Sequence, residues 1–129
     1  MKKTCKENTD KKSRGAVAVE FALVAPLLLA LITGIVEFAH AYNAQISVTQ
    51  AAREAARTMA VKNDQTEAKA AAVAGAPGLT GSFGYTFAPA ACIPDTQMKV
   101  TITYTSPTLT GLFGSSVTLT GVGAMRCGG

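Results

Sequence analysis

The sequence predicts an α+β protein: a long N-terminal membrane-spanning helix followed by a small antiparallel sheet of two or three strands. Three observations carry this reading. Residues 21–36 run without a single charge inside a longer apolar stretch. Beyond them, apolar residues recur at spacings of three and four as far as about residue 61, the repeat of a helix. After Gly78 the pattern switches to alternation, the repeat of a strand. Four segments follow in order: a basic leader, 1–15; a transmembrane helix, 16–42; a helical extension, 43–76; and a small exported β-rich domain, 77–129.

The leader holds the whole charge imbalance of the chain. Lys2, Lys3, Lys6, Lys11, Lys12 and Arg14 stand there against Glu7 and Asp10, a net of +4, and the remaining residues sum to zero. The folded part therefore has no basic excess with which to bind nucleic acid, and no nucleic-acid partner is expected. Lys and Arg before a first apolar segment keep that end cytoplasmic.

The apolar stretch is long enough to cross a bilayer. Roughly 20 residues at 1.5 Å each span the hydrocarbon core, and residues 16–42 meet that length even with Glu20 and Glu37 inside them. Membrane lipid is thus the first expected partner. Ala18, Ala22, Ala30 and Gly34 fall on one i+4 row, with Pro26 in the gap, and small residues in such a row let helices approach closely in lipid. An alanine-rich segment also produces such rows by chance. Glu20 is the anomaly. An acidic residue at the centre of a membrane helix costs about 2.5–3.5 kcal/mol, and less near its ends.

In the extension, Ala44, Val48, Ala51, Ala55 and Met59 form a narrow apolar stripe. Ser47, Gln50, Glu54 and Arg57 lie beside it, and Glu54 can pair with Arg57 at i,i+3. The stripe is mostly alanine, which suits close contact rather than a thick core. Asp64 with Glu67 resembles a capping box, and Gly75, Pro77 and Gly78 stop what precedes them. Residues 63–76 are either a short second helix or the frayed end of the first.

In the last segment Phe83, Tyr85 and Phe87 alternate with small residues. Met98, Val100, Ile102 and Tyr104 alternate with Lys99, Thr101 and Thr103, the clearest strand in the chain. Val117 and Leu119 alternate with threonines. Pro and Gly punctuate the gaps. Cys92 and Cys127 lie in this exported part, where disulfides persist, whereas Cys5 lies in the leader. A Cys92–Cys127 disulfide is expected, with two buried free thiols as the alternative.

No chemistry of the usual kinds is legible. The chain has no phosphate-binding glycine loop, no HExxH, no CxxC and no GxSxG. His40 is the only histidine and stands beside the membrane boundary. Glu20 and Glu37 are roughly 25 Å apart along one helix, too far to act as a carboxylate pair. No catalytic, cofactor-binding or metal-ligating residue is assigned, and an enzyme is not expected.

The junction "G-AVAV-EF", from Gly15 to Phe21, resembles the processing site of type IV prepilins. The wider run "RGAVAVEFALVAPLLLALITGIVEFAHAYNAQISVTQAAREAARTMA" is similar to the TadE-like minor pseudopilins of Tad (Flp-type, type IVb) pili. The matching features are RGxxxVEFAL, the following proline, IxEF and the AAREAAR segment. The resemblance implies a pilus assembly component serving adhesion, surface attachment and biofilm formation. It implies a prepilin peptidase that cuts between Gly15 and Ala16, and other pilins and pseudopilins as partners. It also implies a place in the inner membrane, with the N-terminus cytoplasmic and the C-terminal domain extracytoplasmic. Glu20 and Phe21 would serve assembly, Glu20 by pairing with the freed amine of a neighbour's Ala16. Phe21 stands where the major pilins of this class carry tyrosine, which points to a minor component.

Two other readings stay open. "AHA" at residues 39–41 is an A-x-A-like site, and a signal peptidase cut after Ala41 would release a small secreted protein. An uncleaved single-pass membrane protein with an interaction domain is the third.

Overall fold

The computed structural model describes residues 7–128, with side-chain surroundings from Arg14 onward. Cys5 and most of the leader's lysines lie outside the described residues. The elements are α1 (Glu7–Lys62), α2 (Gln65–Ala74), β1 (Phe83–Ala88), β2 (Gln97–Pro107) and β3 (Ser116–Arg126). The fold is α+β, and the sheet has three antiparallel strands in the order β1-β2-β3. α1 is already helical at Glu7, the first described residue, whereas the sequence suggests a start near Ala16. Residues 7–15 contain no proline and one glycine, and a single glycine costs a helix only about 1 kcal/mol. Pro26 lies inside α1 without ending it.

The chain divides into two compact units, Met1–Val36 and Glu37–Gly129. In the first, the large apolar side chains are exposed on every side of the helix, among them Val17, Phe21, Leu27, Leu28 and Ile32. A helix that is apolar all round needs an apolar surrounding.

In the second unit α1 is amphipathic. Ala44, Val48, Ala51, Ala55 and Met59 are buried as the stripe requires, joined by Ala52 and Ala56. What the alanines admit is a strand. β3 turns Leu119, Gly121 and Gly123 inward, and a Cβ added at Gly121 would stand 2.5 Å from the Val48 carbonyl oxygen. The same atom at Gly123 would crowd the Ala52 carbonyl more closely still. The spacing has a simple origin. Two strand residues advance about 6.6 Å and four helix residues about 6 Å, so successive inward positions of β3 meet successive turns of α1. The Gln45 amide donates to the Thr120 carbonyl (2.9 Å), next to the glycine contact at Val48.

α1 ends at Asn63, which takes the left-handed conformation (φ 51°) and returns its N–H to the Met59 carbonyl at 2.9 Å. Asparagine is among the few residues that enter that region readily. The short second helix of the two alternatives is the one that forms. Asp64 caps it, its carboxylate accepting from the Thr66 and Glu67 N–H groups at 2.7 and 3.2 Å. The reciprocal half of a capping box is absent, because the Glu67 side chain pairs with Lys62. Glu54 does not pair with Arg57: its methylenes lie where a Cβ on Gly75 would be, 3.1 Å away. The ion pairs among the described residues are Lys62–Glu67 and Arg126–Asp95.

β2 is the centre of the sheet. Met98, Val100, Ile102 and Tyr104 are buried on its inner face, and Phe83, Tyr85 and Phe87 of β1 pack against that core half-covered. The Tyr104 hydroxyl donates to the Thr80 carbonyl (3.0 Å). Cys92 and Cys127 are joined in a disulfide, with Cα atoms 5.6 Å apart. The bond ties the end of β3 to the connection before β2. Asn63 meets the same corner by accepting the Cys92 N–H at 2.6 Å.

Candidate functional site

The residues singled out for processing and assembly all lie on α1. Gly15 and Ala16 are exposed inside the helix, and a Cβ at Gly15 would meet nothing within 4 Å. Glu20 stands one turn beyond Ala16 and is exposed, as is Phe21 at 72 %. The helix therefore places a small-residue junction, a carboxylate and an aromatic ring within two turns of one another. After a cut at Gly15, Ala16 would become the helix N-terminus. A free amine with an ordinary pKa near 7.7–8.0 is largely cationic at neutral pH, and an acidic side chain near a helix start is favourable to it.

Glu37, which the sequence marks only as a charge interrupting the apolar run, has a defined role. It is 8 % exposed, and its carboxylate accepts three hydrogen bonds from a loop more than seventy residues away. The Leu109 N–H donates to Oε1 at 2.8 Å. The Thr110 N–H and hydroxyl both donate to Oε2 at 3.2 Å. Hydrogen bonds to a charged group contribute roughly 1.5–3 kcal/mol each. No local motif announces this contact, because its partner is a loop. The signal available in the sequence is a carboxylate at the edge of an apolar run with nothing nearby to satisfy it.

Elsewhere Lys62, Glu67 and Tyr85 are engaged in structure. The hydrogen bond that the Lys62 ammonium donates to Glu67 holds it above its ordinary pKa, with the Coulomb attraction of the same carboxylate adding to it. Burial pushes the Tyr85 phenol up, where Lys69 stands 5.7 Å from the ring centre. Among the described residues no three of His, Cys, Asp and Glu gather closely enough to hold a metal. His40 is exposed on α1.

Among the described residues one helix, near the N-terminus, is long and apolar enough to cross a membrane, and with the small disulfide-closed α+β unit after it the chain fits the class of proteins with a one-helix membrane anchor. Within that class the segment can be placed more narrowly. Residues 15–57, a third of the chain, match the family described as TadE-like protein. The matched stretch opens on Gly15 and carries the resemblance seen in the sequence, that of a Tad pilus component. That family is generally structural rather than enzymatic. No curated protein and no solved structure matches the chain.

Proposed function

We propose that this protein is a minor pseudopilin of a Tad-type type IVb pilus, cut after Gly15 by a prepilin peptidase and held in the inner membrane by the remaining apolar helix. Its N-terminus is cytoplasmic before the cut, and the unit Glu37–Gly129 is extracytoplasmic. It acts without catalysis, by packing with other pilins and pseudopilins. The observation that carries this reading is where the TadE-like match begins: at Gly15, the residue that closes the basic leader, with Glu20 and Phe21 directly downstream.

Glu20 then has a reason to be where it is. A carboxylate in lipid is costly alone, and the amine freed at Ala16 of a neighbouring subunit offsets that cost while setting the register between subunits. Phe21 supplies apolar contact beside it.

Release of a secreted domain by a cut after Ala41 fits the fold less well. Such a cut would remove Glu37 and leave the Leu109 and Thr110 N–H groups without their acceptor. The deciding experiment is the intact mass of the protein from the membrane fraction. A chain starting at Ala16 supports the pseudopilin, Tyr42 the secreted domain, and Met1 the uncleaved anchor. In addition, Gly15→Leu should stop processing, because it puts a bulky side chain where the junction between the leader and the apolar run has a small residue. A Gly15→Leu protein that loses its leader normally would place the cut elsewhere.

A further inference from the structure

Three large apolar side chains crowd the loop between β2 and β3. Leu109, Leu112 and Phe113 are 57, 68 and 70 % exposed. Scattered apolar residues on a surface need no explanation, but a cluster within five positions does. The loop is also held in shape. The Thr108 hydroxyl donates to the Gly114 carbonyl at 2.5 Å, the Thr108 N–H to the Ser115 carbonyl at 3.3 Å, and Glu37 accepts from Leu109 and Thr110.

The position of the clamp decides what the loop meets. Glu37 directly follows the uncharged residues 21–36, so the loop is fastened where α1 would leave the hydrocarbon. Phe38 and Tyr42, stacked with centroids 6.3 Å apart and both exposed, lie within the next turn and a half of the helix. Aromatic side chains gather at that level of a bilayer. Charge is sorted along the unit in the same sense. Residues 101–125 contain no charged side chain. Asp95, Lys99 and Arg126 stand at the opposite end of the sheet, where Gln97 pairs with Arg126 and Cys92 meets Asn63.

We infer that the loop formed by residues 108–115 is a second lipid contact of this protein, with Leu109, Leu112 and Phe113 entering the interface of the bilayer that α1 crosses and Glu37 fixing the depth. Glu37 itself can lie at that level because three donors satisfy its carboxylate. The inference rests on the membrane reading of α1, and its test separates the two.

The chain contains no tryptophan, so Phe113→Trp provides a single tryptophan, excited selectively over the three tyrosines, in the full-length protein reconstituted into phosphatidylcholine–phosphatidylglycerol vesicles. Ile93→Trp is the reference. Ile93 is exposed beside the disulfide, at the end of the unit where α1 stops, and Lys62 is roughly 37 Å along the helix from Glu37. Lipids brominated near the headgroup end of the chains should quench the Phe113→Trp reporter about twofold or more relative to the reference, because an interfacial side chain sits about 5–10 Å into the headgroup and acyl boundary. Its emission should also be shifted to the blue. Quenching equal to that of the reference overturns the lipid contact. A blue shift without bromine quenching overturns it too, in favour of cover by a second copy of the chain. If the full-length protein fails to float with the vesicles, the membrane reading of α1 falls, and the loop contact with it.

Discussion

Replacing Gly123 with alanine tests how closely β3 lies on the helix. Neither Gly121 nor Gly123 has the positive φ that disfavours side chains, so alanine is compatible with the backbone at both. On that ground alone it should stabilise the protein by roughly 0.5–1 kcal/mol, through a stiffer unfolded chain. The contacts oppose this. At Gly121 the new Cβ would lie 2.5 Å from the Val48 carbonyl oxygen and 2.9 Å from the Thr49 amide nitrogen, and at Gly123 it is pressed harder against Ala52. These are backbone atoms inside a helix, and no rotamer change relieves them. Overpacking typically costs about 1–3 kcal/mol; contacts this close to helix backbone belong in the upper half of that range, which leaves a net loss of about 1–2.5 kcal/mol after the chain-stiffness gain. In a unit of roughly 60–100 residues this lowers the melting temperature by roughly 4–20 °C. The control is Gly84→Ala, whose Cβ would meet the Thr103 side chain, a group that can rotate away. The assay is thermal unfolding of the full-length protein in detergent micelles, followed by tyrosine near-ultraviolet circular dichroism. Tyr85 and Tyr104 both lie in the sheet. A Gly123→Ala protein that melts at or above the parent temperature would refute the close packing, and so would an equal loss in Gly84→Ala.

Glu20→Gln should leave membrane insertion and cleavage after Gly15 intact while abolishing pili, since the amide keeps the size and loses the charge; pili of normal number and length in the variant would remove the pairing role. The Cys92–Cys127 bond closes a separation of 35 residues, worth roughly 3–4 kcal/mol in the chain-entropy treatment. Cys127→Ser should therefore unfold at markedly lower denaturant, and alkylation of denatured, unreduced wild-type protein should label neither of these two thiols.

What could be read in advance follows from side-chain periodicity. The alanine stripe on α1 and the alternation of Met98, Val100, Ile102 and Tyr104 both repeat over three or more positions, and both are buried as that repeat requires. The disulfide was legible because oxidation selects cysteines by compartment. β3 was only half visible. Its inner face runs Leu119, Gly121, Gly123, and glycine leaves no hydrophobic mark, so "GVGAMR" reads as punctuation when it is in fact strand. Val117, which looks like part of the inner face, is 38 % exposed. Glu37 was illegible for a different reason: the N–H groups it receives belong to a loop, and which loop comes near is a property of the whole fold. Gly15, Ala16, Glu20 and Phe21, proposed to serve processing and assembly, stood out in the sequence as a motif; the structure adds that all four are exposed on α1.

The match between helix turns and strand residues also restricts how this fold can vary in length over evolution. A single residue inserted into α1 beyond Val48 rotates everything after it by about 100°, turning the alanines away from β3. One residue inserted into β3 turns its inner face outward and presents Val122 to the helix in place of a glycine. Tolerated length changes therefore come in matched sets, four residues in α1 with two in β3 and two in its partner β2. Relatives with a taller domain should differ by those increments, and single-residue insertions should collect in the turns instead.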